Sequence, residues 1–252
     1  TLQTNPCSPG CRHTPATRMF MFNSPCNPTG SVYTEEELAG LAGVLLKHPQ
    51  VFIISDEIYE YINFSGRHHS LASFEGLKDR VALINGVSKG YSMTGWRLGY
   101  MAAHPSVADA CNKMQGQMTS GTCTIAQRAA IDAMLRSPGD TPELLEMVTA
   151  FRRRRDLLLD LLSEIPGMKT NVPDGAFYVF PDVSDYYGKS DGTVMVANGD
   201  DLCLYLLEKA CVALVPGSAF GDPACIRFSY ATSEDRLIEA VKRIKAALLP
   251  LR

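Results

Sequence analysis

Basic residues are not in excess in this sequence: 24 Lys and Arg stand against 27 Asp and Glu, and the net charge of −3 leaves no broad positive face for nucleic acid. Long apolar runs are missing too. None approaches the ~20 residues that a helix needs to cross a bilayer, so a membrane is not an expected partner. The eight cysteines, at 7, 11, 26, 111, 123, 203, 211 and 225, contain no Cys-x-x-Cys pair and no histidine at ligand spacing. That excludes a zinc framework and fits reduced thiols in a cytoplasmic setting, with Cys7 and Cys11 structural or incidental. The sequence opens at Thr1, so a targeting signal is unreadable.

What is present is enough apolar material for a real core, 46% of 252 residues. Residues 1–13 are rich in Pro, Cys and Thr without a period and read as an irregular entry segment. RMFMF (18–22), VFII (51–54) and VALIN (81–85) fit strands. TEEELAGLAGVLLKH, from Thr34, fits a helix opened by a Thr34/Glu37 capping box and closed before Pro49. A strand, helix, strand order predicts an α/β fold with a mostly parallel sheet. Residues 105–165 read as helical, including a long amphipathic run whose four arginines, 152 to 155, form a solvated face with a few ion pairs. Short strands (GAFYVFPDV, CVALVPG, CIRFSYA), a helix over DDLCLYLLEKA and a last helix from Ser233 to Leu249 follow.

Parallel sheets bind ligands beyond the carboxyl ends of their strands. NSPCNPTG, SDEIYE and NGVSKGYSMTGWRLG each follow one of the three predicted strands, which would gather Asn27, Asp56, Tyr59, Lys89 and Arg97 around one ligand. Taken singly these are a surface lysine, a helix cap and a core tyrosine; their joint placement makes a site. A lysine amine condenses with an aldehyde, an arginine among small residues holds a phosphate, and Ser88 and Ser92 add donors. Asp56 would keep a ring nitrogen protonated, with Asn27 and Tyr59 donating to a phenolic oxygen. His68 and His69, in FSGRHHS, read as loop residues without a third metal ligand, so no metal is expected. Phe177 and Tyr178 read as pocket wall, and Trp96 as packing that steadies Arg97.

GVSKGYSMTGWRLG, with NPTG, SDEIY, GAFY and IRFSYA in the same order, resembles the class I/II aminotransferases of the fold-type I pyridoxal-phosphate enzymes over residues 14–252. PCNPTG, KGYSMTGWRLGY, VPGSAFGD and IRFSYATSED are most similar to the prokaryotic-type aspartate aminotransferases, the branch that includes prephenate aminotransferases. The resemblance implies pyridoxal 5'-phosphate, bound through a Schiff base to Lys89, with Asp56 on the pyridine nitrogen, Asn27 and Tyr59 on the phenolic oxygen, and Ser88 and Arg97 on the phosphate. It implies that Arg227 clamps the substrate α-carboxylate, with Asn27 beside it, and that Asn27–Pro28 is cis. Catalysis would rest on Lys89, Asp56 and Tyr59. The implied activity is ping-pong transfer of an amino group from an amino acid, aspartate-like, to a 2-oxo acid, by a homodimer in its full-length form. A same-fold Cα lyase and a catalytically incompetent fragment remain alternatives.

The resemblance also implies a three-layer α/β/α arrangement, with residues 14–140 as the C-terminal portion of the large cofactor-binding domain and 141–252 as a smaller α/β domain. Family members begin earlier, and the upstream region carries a phosphate-binding turn, a ring that stacks on the cofactor and part of the dimer interface. Those parts are expected to lie outside this chain.

Overall fold

The computed structural model describes residues 14–136 and 138–252. The entry segment, with Cys7 and Cys11, lies outside the described residues. Among those described, one compact unit runs up to Cys26 and from Ser31 to Val148, and a second holds Asn27–Gly30 and Thr149–Arg252. Where the sequence suggests a division at 140, the structure divides inside the helix Pro142–Ser163, whose 22 residues have no internal Gly or Pro to interrupt it.

The first unit is α/β. Strands β1 (Met19–Asn23), β2 (Phe52–Asp56) and β3 (Val81–Gly86) are parallel, and β4 (Gly99–Ala102) runs antiparallel to β3, in the order β1-β2-β3-β4. Helix α1 (Glu35–Leu46) connects β1 to β2. Its start is the capping box read from the sequence: Thr34 Oγ1 accepts from Glu37 N at 3.2 Å, and Glu37 Oε2 accepts from Thr34 N at 2.9 Å. Past its end, the Arg80 guanidinium donates to the carbonyls of Leu45, His48 and Val51, satisfying groups that a helix end leaves open. Leu38, Leu41, Leu45, Val51, Ile53, Leu71 and Leu77 are buried together between α1 and the sheet. At about 1.5–3 kcal/mol for each such side chain, this cluster is the main reason the unit holds.

A second cluster joins Val87 of α2 (Val87–Gly90) and Leu98 to Ala126, Ala130 and Ala133. The three alanines line one face of α4 (Thr124–Leu135), whereas α3 (Pro105–Met118) buries no residue within this chain. Strand β4 was not foreseen: its four residues close the glycine-rich lysine loop and carry too short a pattern to read as a strand.

The second unit opens on the remainder of α5 (Pro142–Ser163). Strands β5 (Tyr178–Val179), β8 (Val215–Pro216) and β9 (Ile226–Ser229) form an antiparallel sheet in the order β5-β9-β8, and β6 (Lys189–Ser190) pairs with β7 (Met195–Val196). Helices α6 (Gly199–Ala210) and α7 (Glu234–Leu248) are tied by the Tyr205 hydroxyl, which donates to Ala247 O at 2.9 Å. Tyr230 is fully buried, with its hydroxyl on Ala176 O and its ring near Phe151. The arginine run makes the ion pairs read for it, Arg153 with Glu234 and Arg155 with Asp156, but it is not solvated throughout: Arg155 is half-buried and Arg154 lies over Phe151 with its Nε buried.

Candidate active site

The parallel register fixes where the first unit presents its chemistry. Asn23 pairs with Asp56 and Asp56 with Ile84, so β1 and β2 end level and β3 runs two residues further in the same direction. The chain leaving β3 turns at once into α2, which carries Ser88 and Lys89. A cavity of about 420 Å³ opens there, lined by Asp56, Ile58, Ile84, Asn85, Ser88, Lys89, Thr94, Arg97, Leu98 and Gly99. Four sequence-derived candidates, Asp56, Ser88, Lys89 and Arg97, thus share one space.

Each has a local cause. Asp56 ends β2; its backbone carbonyl accepts from Asn23 Nδ2 at 2.8 Å and its Oδ1 accepts from Ile58 N at 3.1 Å. Burial raises its pKa above the ordinary 3.8, the Ile58 N–H pulls it down, and the Glu57 charge adds to the rise. Arg97 sits in the left-handed region at φ 52, uncommon for a residue with a Cβ, and its Nη1 donates to Thr94 O at 2.9 Å. That bond folds the arginine back over its own loop. Tyr59 does not line the cavity; it is 4% exposed, with its ring centroid 5.7 Å from Lys89 Nζ. Ser92 also stays out of it, its hydroxyl on Met147 Sδ at 3.3 Å. Trp96, read as packing that steadies Arg97, is 45% exposed.

Sequence reading missed what lies beside Asp56. Glu57 is 2% exposed and accepts from the Ser55 hydroxyl at 2.8 Å and the Ser70 hydroxyl at 2.6 Å, while His68 Nε2 lies 2.7 Å from its Oε2. His68 lies in a loop, as read, and its ring ties residues 68–70 to the end of β2. A buried glutamate ahead of a Ser/His-containing loop was the available signal.

The second unit holds the other two candidates together. Arg227, on β9, donates from Nη1 to Asn27 Oδ1 at 2.8 Å. The Asn27–Pro28 bond is cis, as the resemblance implied. The four residues Asn27–Gly30 belong to this unit because Thr29 O accepts from Asn171 Nδ2, and Gly30 O accepts from the backbone N–H groups of Asp174 and Gly175. The Arg227 guanidinium also lies 4.5 Å from the Tyr178 ring centroid and 4.9 Å from that of Phe220.

The described cysteines, 26, 111, 123, 203, 211 and 225, are all free thiols. Among the described residues, no helix is long and apolar enough to cross a membrane.

The protein-family model for aminotransferase class I and II matches residues 8–244. A bifunctional aspartate aminotransferase and glutamate/aspartate-prephenate aminotransferase of Petunia hybrida is 48% identical over 95% of this chain and 50% of its own length. An aspartate/prephenate aminotransferase of Cereibacter sphaeroides is 46% identical over 92% of this chain and 58% of its own. Among solved structures, an aspartate aminotransferase from Rhizobium meliloti superposes with a TM-score of 0.93 at 40% identity, over 99% of this chain and 62% of that one. The chain spans about half the length of the curated relatives it matches. With the match running through nearly all of its residues, the chain belongs to the class I and II aminotransferase family.

Proposed function

We propose that the protein is a pyridoxal-phosphate-dependent aminotransferase that moves an amino group from an aspartate-like amino acid to a 2-oxo acid in two half-reactions. The observation that carries this is the single cavity lined by an amine, a carboxylate, a hydroxyl and a guanidinium, Lys89, Asp56, Ser88 and Arg97. That donor set fits the cofactor: an amine for its aldehyde, an anion for its ring nitrogen, and a hydroxyl and a cation for its phosphate. When bound, the cofactor supplies an electron sink for the bonds at the substrate Cα.

The remaining work falls to the chain's own groups. Lys89 holds the cofactor and, as an amine, carries the proton to and from the substrate Cα. Asp56, as an anion, holds a proton on the ring nitrogen, a role in which a cationic partner offsets the burial that raises its pKa. Arg97 and Ser88 hold the phosphate, and Tyr59 and Asn27 donate to the ring oxygen. Arg227 takes the α-carboxylate through parallel N–H bonds, with Asn27 fixing one end of the guanidinium.

The reading includes a homodimer, supported by the exposure of Met114, Met118, Ile125 and Leu135 on α3 and α4, and a cytoplasmic location, supported by six free thiols. Two experiments test it. Pyridoxal phosphate added to the chain and trapped with borohydride should label Lys89; soluble, folded protein without that label refutes the cofactor assignment. Aspartate with 2-oxoglutarate should yield glutamate, whereas pyruvate and ammonia would point to a Cα lyase.

A further inference from the structure

Arg227 is held by aromatic rings rather than by a carboxylate, as Arg154 is over Phe151. Arg153 and Arg155 pair with carboxylates, whereas among the described residues Arg227 has no acidic partner. Its one hydrogen bond goes from Nη1 to the neutral Asn27 side chain, and its Nε–H is buried without an acceptor. What surrounds the guanidinium instead is aromatic: the ring centroids of Tyr178 and Phe220 lie 4.5 and 4.9 Å away. Tyr178 is itself 6% exposed and paired through β5 to β9, so its ring is fixed by the sheet that carries Arg227. Phe220 is set in the short helical turn Gly217–Phe220 and packs edge-on against Phe180.

We propose that Tyr178 and Phe220 are positioning residues for Arg227, whose guanidinium plane their rings fix so that it is preset for the carboxylate of an amino acid. This rests on the carboxylate role assigned to Arg227 above. An aromatic ring attracts a cation through its face yet accepts none of the in-plane N–H groups in a strong bond. A carboxylate in the same place would neutralise the charge and occupy the donors that a substrate needs. Stacking therefore orders the side chain while leaving its charge and its in-plane donors for a ligand. The ordering matters because arginine carries about 2 kcal/mol of rotamer entropy that would otherwise be lost on binding.

The test compares the chain with Phe220→Leu, which removes a ring, and with Phe220→Tyr and Tyr178→Phe, which keep one. Succinate, a carboxylate that cannot be transaminated, is titrated while the Arg227 Nε–H resonance is followed by NMR. Phe220→Leu should weaken succinate about tenfold, in line with the cation–π energy of one partly desolvated ring, whereas both ring-keeping variants stay within about twofold. Folding of each variant is checked by circular dichroism. A Phe220→Leu chain that binds succinate as the parent does overturns the proposal. So does a parent chain whose Arg227 resonance does not respond to succinate, and that result also removes the carboxylate role. Borohydride labelling of Lys89 on the same samples separates the claims: a parent without label overturns the aminotransferase reading, and the succinate comparison still decides the aromatic clamp.

Discussion

Arg227 Nη1 donates to Asn27 Oδ1 at 2.8 Å, a bond that spans 200 residues of sequence. Asn27 and Arg227 are thereby joined in one hydrogen-bonded pair rather than standing as two separate side chains. The bond fixes one end of a planar, permanently charged donor, a geometry suited to a carboxylate and not to a point charge.

Arg227→Lys should therefore behave as a severe change despite keeping the charge. A lysine ammonium cannot present a flat face to the Tyr178 and Phe220 rings while offering parallel donors. Carboxylate affinity should fall on the order of a hundredfold, measured as succinate binding or as KM for the amino donor. Borohydride labelling of Lys89 should be unchanged. An affinity within threefold of the parent would remove Arg227 from the substrate site.

Asp56→Asn should separate stability from cofactor holding. Folding raises the Asp56 pKa above 3.8, chiefly through burial, so the folded chain favours the protonated acid. Below about pH 3.8 both states are protonated and the group is neutral in its effect. As pH rises through the unfolded and then the folded value, the unfolded chain releases its proton first and stability falls, to a plateau above both. Asparagine removes that fall. The cofactor-free variant should thus be more stable than the parent at pH 7, by a margin that narrows toward pH 4, in urea unfolding. Its affinity for pyridoxal phosphate should fall at the same time. A variant less stable than its parent at pH 7 would show that the Asp56 hydrogen bonds outweigh its charge burial.

The parts of this site that were legible in the sequence are those encoded locally. Asp56, Ser88 and Lys89 stand at the ends of strands whose apolar runs announce them, and Arg97 follows in the same loop. The capping box at Thr34 is local in the same sense. Strand β4 escaped because four residues pairing back on β3, Gly99 against Gly86, read in sequence as the tail of a loop. The rings around Arg227 escaped for a different reason. Tyr178 reads as pocket wall, and nothing local ties Phe220 to it until strand pairing and the turn Gly217–Phe220 carry both to the same guanidinium.

Glu57 should prove to be a stability residue. Two serine hydroxyls and the His68 ring converge on a carboxylate that is 2% exposed. Glu57→Ala leaves all three without that acceptor, and one unmatched buried polar group costs about 1–3 kcal/mol. A loss of about 3 kcal/mol or more is expected from the urea midpoint. Glu57→Gln should lose less, because its carbonyl oxygen still accepts from a serine. Equal losses for the two variants would show that the carboxylate charge, rather than its role as acceptor, is what the network needs.

Gly30 tests the placement of Asn27 without touching Asn27 itself. Its φ of +68 lies in the left-handed region, and a Cβ there would run into the Pro173 side chain and sit 2.8 Å from Gly175 O. Alanine adds backbone strain to that collision, together about 2–4 kcal/mol. The chain can relieve the clash only by parting residues 27–30 from 173–175, which breaks the two bonds to Gly30 O. Asn27, three positions earlier, would move with it and release Arg227 Nη1. Gly30→Ala should accordingly lower the urea midpoint and weaken succinate together, while Lys89 labelling in the first unit persists. If stability falls and succinate binding does not, Asn27 keeps its place without the pinned segment.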